Sequence, residues 1–194
     1  MSIKYRIVFK YLPHASCYAA SMKIVCLAWG SLVWCPRDLK LAGTWQPDGP
    51  ELPIEFARTS DGGEGRLTLV VTPGAAGVTT LWSFLDYPTG KSARAALRQR
   101  EGCRLRDVGI WPVAGASRWF CADVIGEWAE SQGFDHVIWT ALPPKFDHQD
   151  GVPPPSAQAA IEYLASRDPK VRQDADEYVS TRAKAGSHTI PCGV

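Results

Sequence analysis

Residues 54–71, IEFARTSDGGEGRLTLVV, place Ile54, Phe56 and Arg58 on one side of an extended strand and Glu55, Ala57 and Thr59 on the other. Asp61-Gly62-Gly63 then offers residues that tolerate positive φ, and Leu67, Leu69 and Val71 resume the alternation. Alternation, turn and alternation again specify an antiparallel hairpin. The flanking segments fit the same layer. Lys23 to Trp29 reads as a short buried strand, 35–50 as a Pro/Gly/Asp-rich loop, and VTTLWSFL (78–85) as a further strand. The first half is therefore expected to be a mainly antiparallel meander. Glu55 and Arg58 point to opposite faces of their strand, so they do not form one site, and each is expected at an edge or surface position.

Helical spacing begins after residue 91. Ser92 is the expected cap of a helix with Ala93, Ala96 and Leu97 on one face and Gly102 as its stop. A strand follows at 108–113, then a helix over 117–132 closed by Gly133, and a strand at 136–142. The loop PPKFDHQDGVPPP leads to two final helices. The first starts at Ser156 and carries Ile161 and Leu164. The second opens at Asp168-Pro169 and turns Val171, Ala175, Tyr178 and Val179 inward. The pattern predicts an α+β class in three parts: an N-terminal extension (1–21), one domain with C-terminal helices (22–182), and a flexible tail (183–194).

Composition restricts the partners. Lysine plus arginine (21) nearly balances aspartate plus glutamate (20), which leaves no electrostatic footprint for nucleic acid or an anionic membrane. No apolar run approaches the roughly 18 residues of a membrane span. The six cysteines form no Cys-x-x-Cys pair and are read as reduced thiols, which places the chain in the cytoplasm. Asp147-His148-Gln149-Asp150 sits in a Pro/Gly-rich loop and is read as solvated, so no structural metal is expected.

Two stretches bear chemistry. In LAWGSLVW (27–34), Gly30 and Ser31 end an apolar strand. The context is not a Gly-x-Ser-x-Gly elbow and no histidine presents itself as a base, so Ser31 is not read as a nucleophile. The backbone N–H groups of Gly30, Ser31 and Leu32 are the asset, as a nest for a carboxylate or a developing oxyanion. In ALRQREGCR (96–104), Glu101 lies four residues after Leu97 and shares its apolar face. The helix C-terminus and partial burial favour a neutral carboxyl suited to proton transfer, while Arg98, Arg100 and Arg104 favour a paired carboxylate.

Together, CLAWGSLVWCP, the hairpin ending GRLTLVV, the strand LWSFL and the helix ending LRQREG resemble the γ-glutamylcyclotransferase superfamily over about residues 23–113. That family opens with a Tyr-Gly-Ser-Asn or Tyr-Gly-Ser-Leu loop, matched by Gly30-Ser31-Leu32, and carries a catalytic glutamate in an Arg-Glu or Glu-Gly context, matched by Glu101. GSLVWCP and VGIWP look most like its ChaC-type branch, which acts on glutathione. The resemblance implies a small β-barrel with peripheral helices and a cavity at one end. It also implies cyclisation of a γ-glutamyl amine or peptide to 5-oxoproline without a metal or cofactor, with Glu101 as general acid/base and Trp29, Gly30, Ser31, Leu32 and Trp111 binding the substrate. Glu101 is then expected within one ligand's length of the Gly30–Leu32 amides.

The departures are specific. Trp29 stands at the loop tyrosine, Cys103 where a tyrosine often follows the glutamate, and Trp111 where the strand usually reads Phe-Tyr-Pro. Three phenolic hydroxyls are absent, which points to altered polar contacts and a substrate other than glutathione. The alternative of a different class is a non-catalytic module binding a small ligand or a protein partner, and a third is an amidase acting on a γ-glutamyl-modified macromolecule.

Overall fold

The computed structural model describes residues 22–60, 65–112, 119–146, 149–154, 156–173 and 175–176. The extension 1–21, the turn Asp61–Gly63, Tyr178, Val179 and the tail 183–194 lie outside them. The described chain is α+β. Strand β1 (Ile24–Ala28) is wholly buried and runs into a one-turn helix α1 (Ser31–Trp34). Next come β2 (Glu51–Thr59), β3 (Leu67–Val71), β4 (Gly77–Thr79) and β5 (Leu81–Phe84). Helix α2 (Gly90–Glu101), β6 (Val108–Trp111), α3 (Ala122–Gln132) and β7 (His136–Thr140) follow. The short pair β8 (Lys145–Phe146) and β9 (Gln149–Asp150) precedes α4 (Ala157–Ala165).

The strands pair into two sheets. One has the order β5-β1-β7-β6; the other runs β3-β2-β8-β9, with β4 also on β2. Pairing is mainly antiparallel, as expected, but closure of a barrel is not among the described pairings. Nor is the first half a self-contained meander. Central β1 is antiparallel to β5 and parallel to β7, with Ile24 opposite His136. The expected strand 78–85 divides at Thr80, which is buried and tied to the Pro50 carbonyl through both its N–H (3.2 Å) and its hydroxyl (2.8 Å). Thr80 is thereby the joint between the sheets, with β4 in one and β5 in the other.

Each face of the first sheet has its own core. Ile24, Cys26, Ala28 and Ile138 meet Ala93 and Leu97 of α2, with Leu32 and Val108 in the same cluster. Val25, Leu27, Val137 and Trp139 face Ile125 and Ala129 of α3, together with Leu52, Ile54 and Leu69 of the second sheet. The period of two along β1 and β7 thus sends alternate residues to two helices.

Several element boundaries move. The cap of α2 is Thr89, whose hydroxyl accepts from the Ser92 N–H while Ser92 Oγ accepts from the Thr89 N–H, so Ser92 is the inner half of a capping box. Helix α3 starts only at Ala122, because Cys121 takes a left-handed conformation (φ 62°) immediately before it. A bulge between Phe56 and Arg58 breaks the alternation of β2 and turns Arg58 inward, against its expected surface position. There its guanidinium donates to the Pro143 carbonyl (3.0 Å) and pairs with Asp150 (3.5 Å). Glu55 stays exposed and accepts from the Phe56 N–H.

Candidate functional site

Helix α2 starts beside His136, at the first residue of β7, and ends at Glu101. It therefore runs in the same direction as β7 and β1 and delivers Glu101 to their carboxyl end, where β1 passes into the Gly30 turn. Gly30 has φ 58° and ψ −142°, a conformation open to glycine and strained for other residues. It lets the chain leave β1 and begin a helical turn at once. Ser31 and Leu32 sit first in that turn, where N–H groups have no intrahelical acceptor.

Three side-chain donors fix the turn, one of its own and two from elsewhere. The Trp29 indole N–H donates to the Leu69 carbonyl (3.2 Å) and the Trp45 indole N–H to the Val33 carbonyl (2.9 Å). The Arg100 guanidinium donates to the Cys35 carbonyl from Nε (3.2 Å) and Nη2 (2.6 Å). The same guanidinium reaches Ser31 Oγ from Nη2 (3.3 Å) and Glu101 Oε1 from Nη1 (2.7 Å). A single planar group therefore spans the turn and the carboxylate, so Ser31 Oγ and Glu101 Oε1 lie at most about 8 Å apart. The arginine side chain is 6% exposed and the glutamate 16%, so the pair is nearly buried but reaches solvent at the carboxylate.

Two thiols border the pair. Cys26 is fully enclosed, and burial, with Glu101 adding to it, pushes its thiol far above the ordinary value. Cys103 is half-buried and its thiol is pushed up to about 11, by burial first and then by Glu101 and Asp107. Both are held as neutral thiols, which suits them to packing and not to nucleophilic attack. Cys35 departs from the expectation of six reduced thiols, being disulfide-bonded. Asp107, buried just beyond, pairs with Arg104 (3.3 Å) and Arg106 (3.7 Å), so Arg104 is drawn away from Glu101.

The structure brings Glu101, Gly30, Ser31 and Leu32 together and gives each a defined part. The Leu32 side chain is core, so only its backbone faces the turn. The indole N–H of Trp29 is committed to β3, and its ring packs against the Val25 and Leu27 cluster on the face opposite α2. Trp111 is not brought to the turn. It pairs with Val137, which is level with Val25 near the start of β1, about 10 Å along the strands from Ala28. There its ring packs on Gly126 of α3, and its carbonyl lies 3.3 Å from His136 Nδ1. Arg100, read from the sequence as one of three arginines that could pair with Glu101, is the one that does so, and its link to the turn is what the sequence did not show.

Among the described residues no group of His, Cys, Asp and Glu is placed to hold a metal ion, while Asp147 and His148 lie outside them. No helix among them is long and apolar enough to cross a membrane. A concavity of about 610 Å³ lies at the C-terminal helices, lined by Ser166, Arg167, Asp168, Lys170 and Val171, and none of the site residues borders it. Set against known proteins, the chain matches no family model and has no significant match among curated proteins.

Proposed function

We propose that this protein is a γ-glutamylcyclotransferase-like enzyme that converts a γ-glutamyl amine or peptide to 5-oxoproline and releases the amine. The observation that supports the reading is the meeting of a nearly buried glutamate, Glu101, with the Gly30–Leu32 turn at the carboxyl end of β1. Glu101 takes a proton from the substrate's α-ammonium, and the freed amine attacks its own γ-carbonyl. The new C–N bond closes a five-membered ring, the γ-amide C–N bond breaks, and the proton returns to the leaving nitrogen. The N–H groups of the turn hold the oxygen on which negative charge develops. Because nucleophile and electrophile share one molecule, holding the bent conformer supplies much of the acceleration. On this reading the two sheets, joined through Thr80, are the halves of one small barrel. The missing phenolic hydroxyls direct the site to a γ-glutamyl compound other than glutathione.

Purified protein is incubated with a panel of γ-glutamyl amines and dipeptides, and 5-oxoproline is quantified. At least one member turns over, and Glu101→Gln lowers kcat by about 100-fold or more. A panel with no turnover, or a Gln variant at full activity, overturns the cyclotransferase reading and leaves the binding-module alternative.

A further inference from the structure

Building on that cyclotransferase reading, we propose that Arg100 is a positioning residue that selects which oxygen of Glu101 moves the proton and locks the carboxylate to the substrate-holding turn. The guanidinium uses two edges at once. Nε and Nη2 grip the Cys35 carbonyl at the end of α1, Nη2 also reaches Ser31 Oγ at its start, and Nη1 holds Glu101 Oε1. Among the described residues the Glu101 carboxylate takes no other hydrogen bond, so Oε1 is engaged and Oε2 is the open lone-pair oxygen. A proton acceptor is useful only when its basic oxygen keeps one place relative to the group it serves, and a displacement of about 1 Å can cost on the order of 100-fold in rate. Arg100 meets that need because it ties the base and the turn to one rigid plane. A lysine in its place cannot span these partners, since all three of its N–H donors sit on one nitrogen and not along a planar fork.

The location explains why the pairing is fixed. Leu97 and Ala93 anchor α2 to the sheet, Leu32 anchors α1 in the same cluster, and Arg100 closes the gap between the two helices with its side chain almost fully covered. Movement of the turn is therefore transmitted to the carboxylate through a side chain that has little room to follow any other course.

The test compares wild type with Arg100→Lys, Arg100→Gln and Arg100→Ala in two measurements. The first is 5-oxoproline release from the best panel substrate. Arg100→Gln loses about 10- to 100-fold in kcat with KM changed by about threefold or less, Arg100→Lys retains more, and ethylguanidine at tens of millimolar restores part of the Arg100→Ala activity. The second is amide hydrogen exchange in residues 29–35, which quickens in the Gln variant and less in the Lys variant, at a temperature where all remain folded. A rise in KM at unchanged kcat overturns positioning in favour of direct substrate binding, and unchanged kcat with unchanged exchange overturns it outright. Where wild type turns over no panel member, the cyclotransferase reading fails by itself. Exchange in 29–35 then still decides the clamp: faster exchange in Arg100→Gln upholds it and unchanged exchange refutes it.

Discussion

Gly109 lies in β6 directly opposite Trp139 of β7, and a Cβ placed on it enters the indole ring, with Cδ2 at 2.5 Å and Cε2 and Cζ2 nearer still. The backbone there is not left-handed, so strain is steric alone. Trp139 has nowhere to retreat: it is 1% exposed and meets the Trp119 ring edge-on at 5.8 Å. Gly109→Ala therefore sets two effects against each other. Lower unfolded-state entropy favours alanine by about 0.4–1 kcal/mol, whereas overpacking a filled core costs about 1–3 kcal/mol and occasionally more. Backbone or ring displacement is unavoidable at these separations, so overpacking lies in the upper part of its range, and after the entropic gain a net loss of about 1–2.5 kcal/mol is expected. For a chain of this size that lowers Tm by roughly 2–10 °C. Urea unfolding followed by far-UV circular dichroism measures it. A double-mutant cycle adds the decisive comparison: Trp139→Leu empties the ring's volume, so Gly109→Ala on that background costs less than on wild type. A Gly109→Ala protein within about 0.5 kcal/mol of wild type, or a cycle that is strictly additive, refutes the steric account.

Thr89→Ala removes the hydroxyl half of the capping box on α2 and is expected to cost about 0.5–2 kcal/mol in urea unfolding, with 5-oxoproline release unchanged at low temperature. The thiols give a pH dependence with a definite sign. Cys103 keeps its proton to about 11 in the folded state, against an ordinary value of 9.0, so the unfolded chain releases a proton that the folded chain retains. Stability is full below about pH 9 and falls as the pH rises through 11. Urea unfolding at about pH 8 and about pH 10.5 should show the loss, and Cys103→Ala should reduce it.

Much of the strand layout was legible because alternation is local. Residues 24–28, 54–59 and 67–71 announce themselves within a few positions. The neighbour of β1 was not legible, since its parallel partner begins at His136 and parallel pairing leaves no mark in a short window. Ser92 was read as the cap because it adjoins the apolar face, while Thr89, three residues earlier, makes the reciprocal bonds. Arg58 followed the strand period until the bulge inverted it. At the site, the spacing from Leu97 to Glu101 correctly turned the glutamate inward. The sequence left Arg98, Arg100 and Arg104 open as its partner. The pair forms with Arg100, because the Cys35 carbonyl and Ser31 hydroxyl, far away in sequence, draw that guanidinium across. Trp111 matched by motif order, but the register of β6 carries it toward the opposite end of the sheet.

The parallel pairing of β1 with β7 also sets a timetable for synthesis. Gly30, Ser31 and Glu101 all leave the ribosome before His136–Thr140, and yet the strand that ends in the Gly30 turn has only β5 beside it until β7 arrives. During that interval the fully apolar IVCLA segment lacks one of its two neighbours and presents an unpaired backbone edge, a template for pairing with another chain. Every residue of the proposed chemistry is thus made early and assembled late, and a nascent chain halted before residue 136 carries the whole site in sequence with its central strand still half-paired.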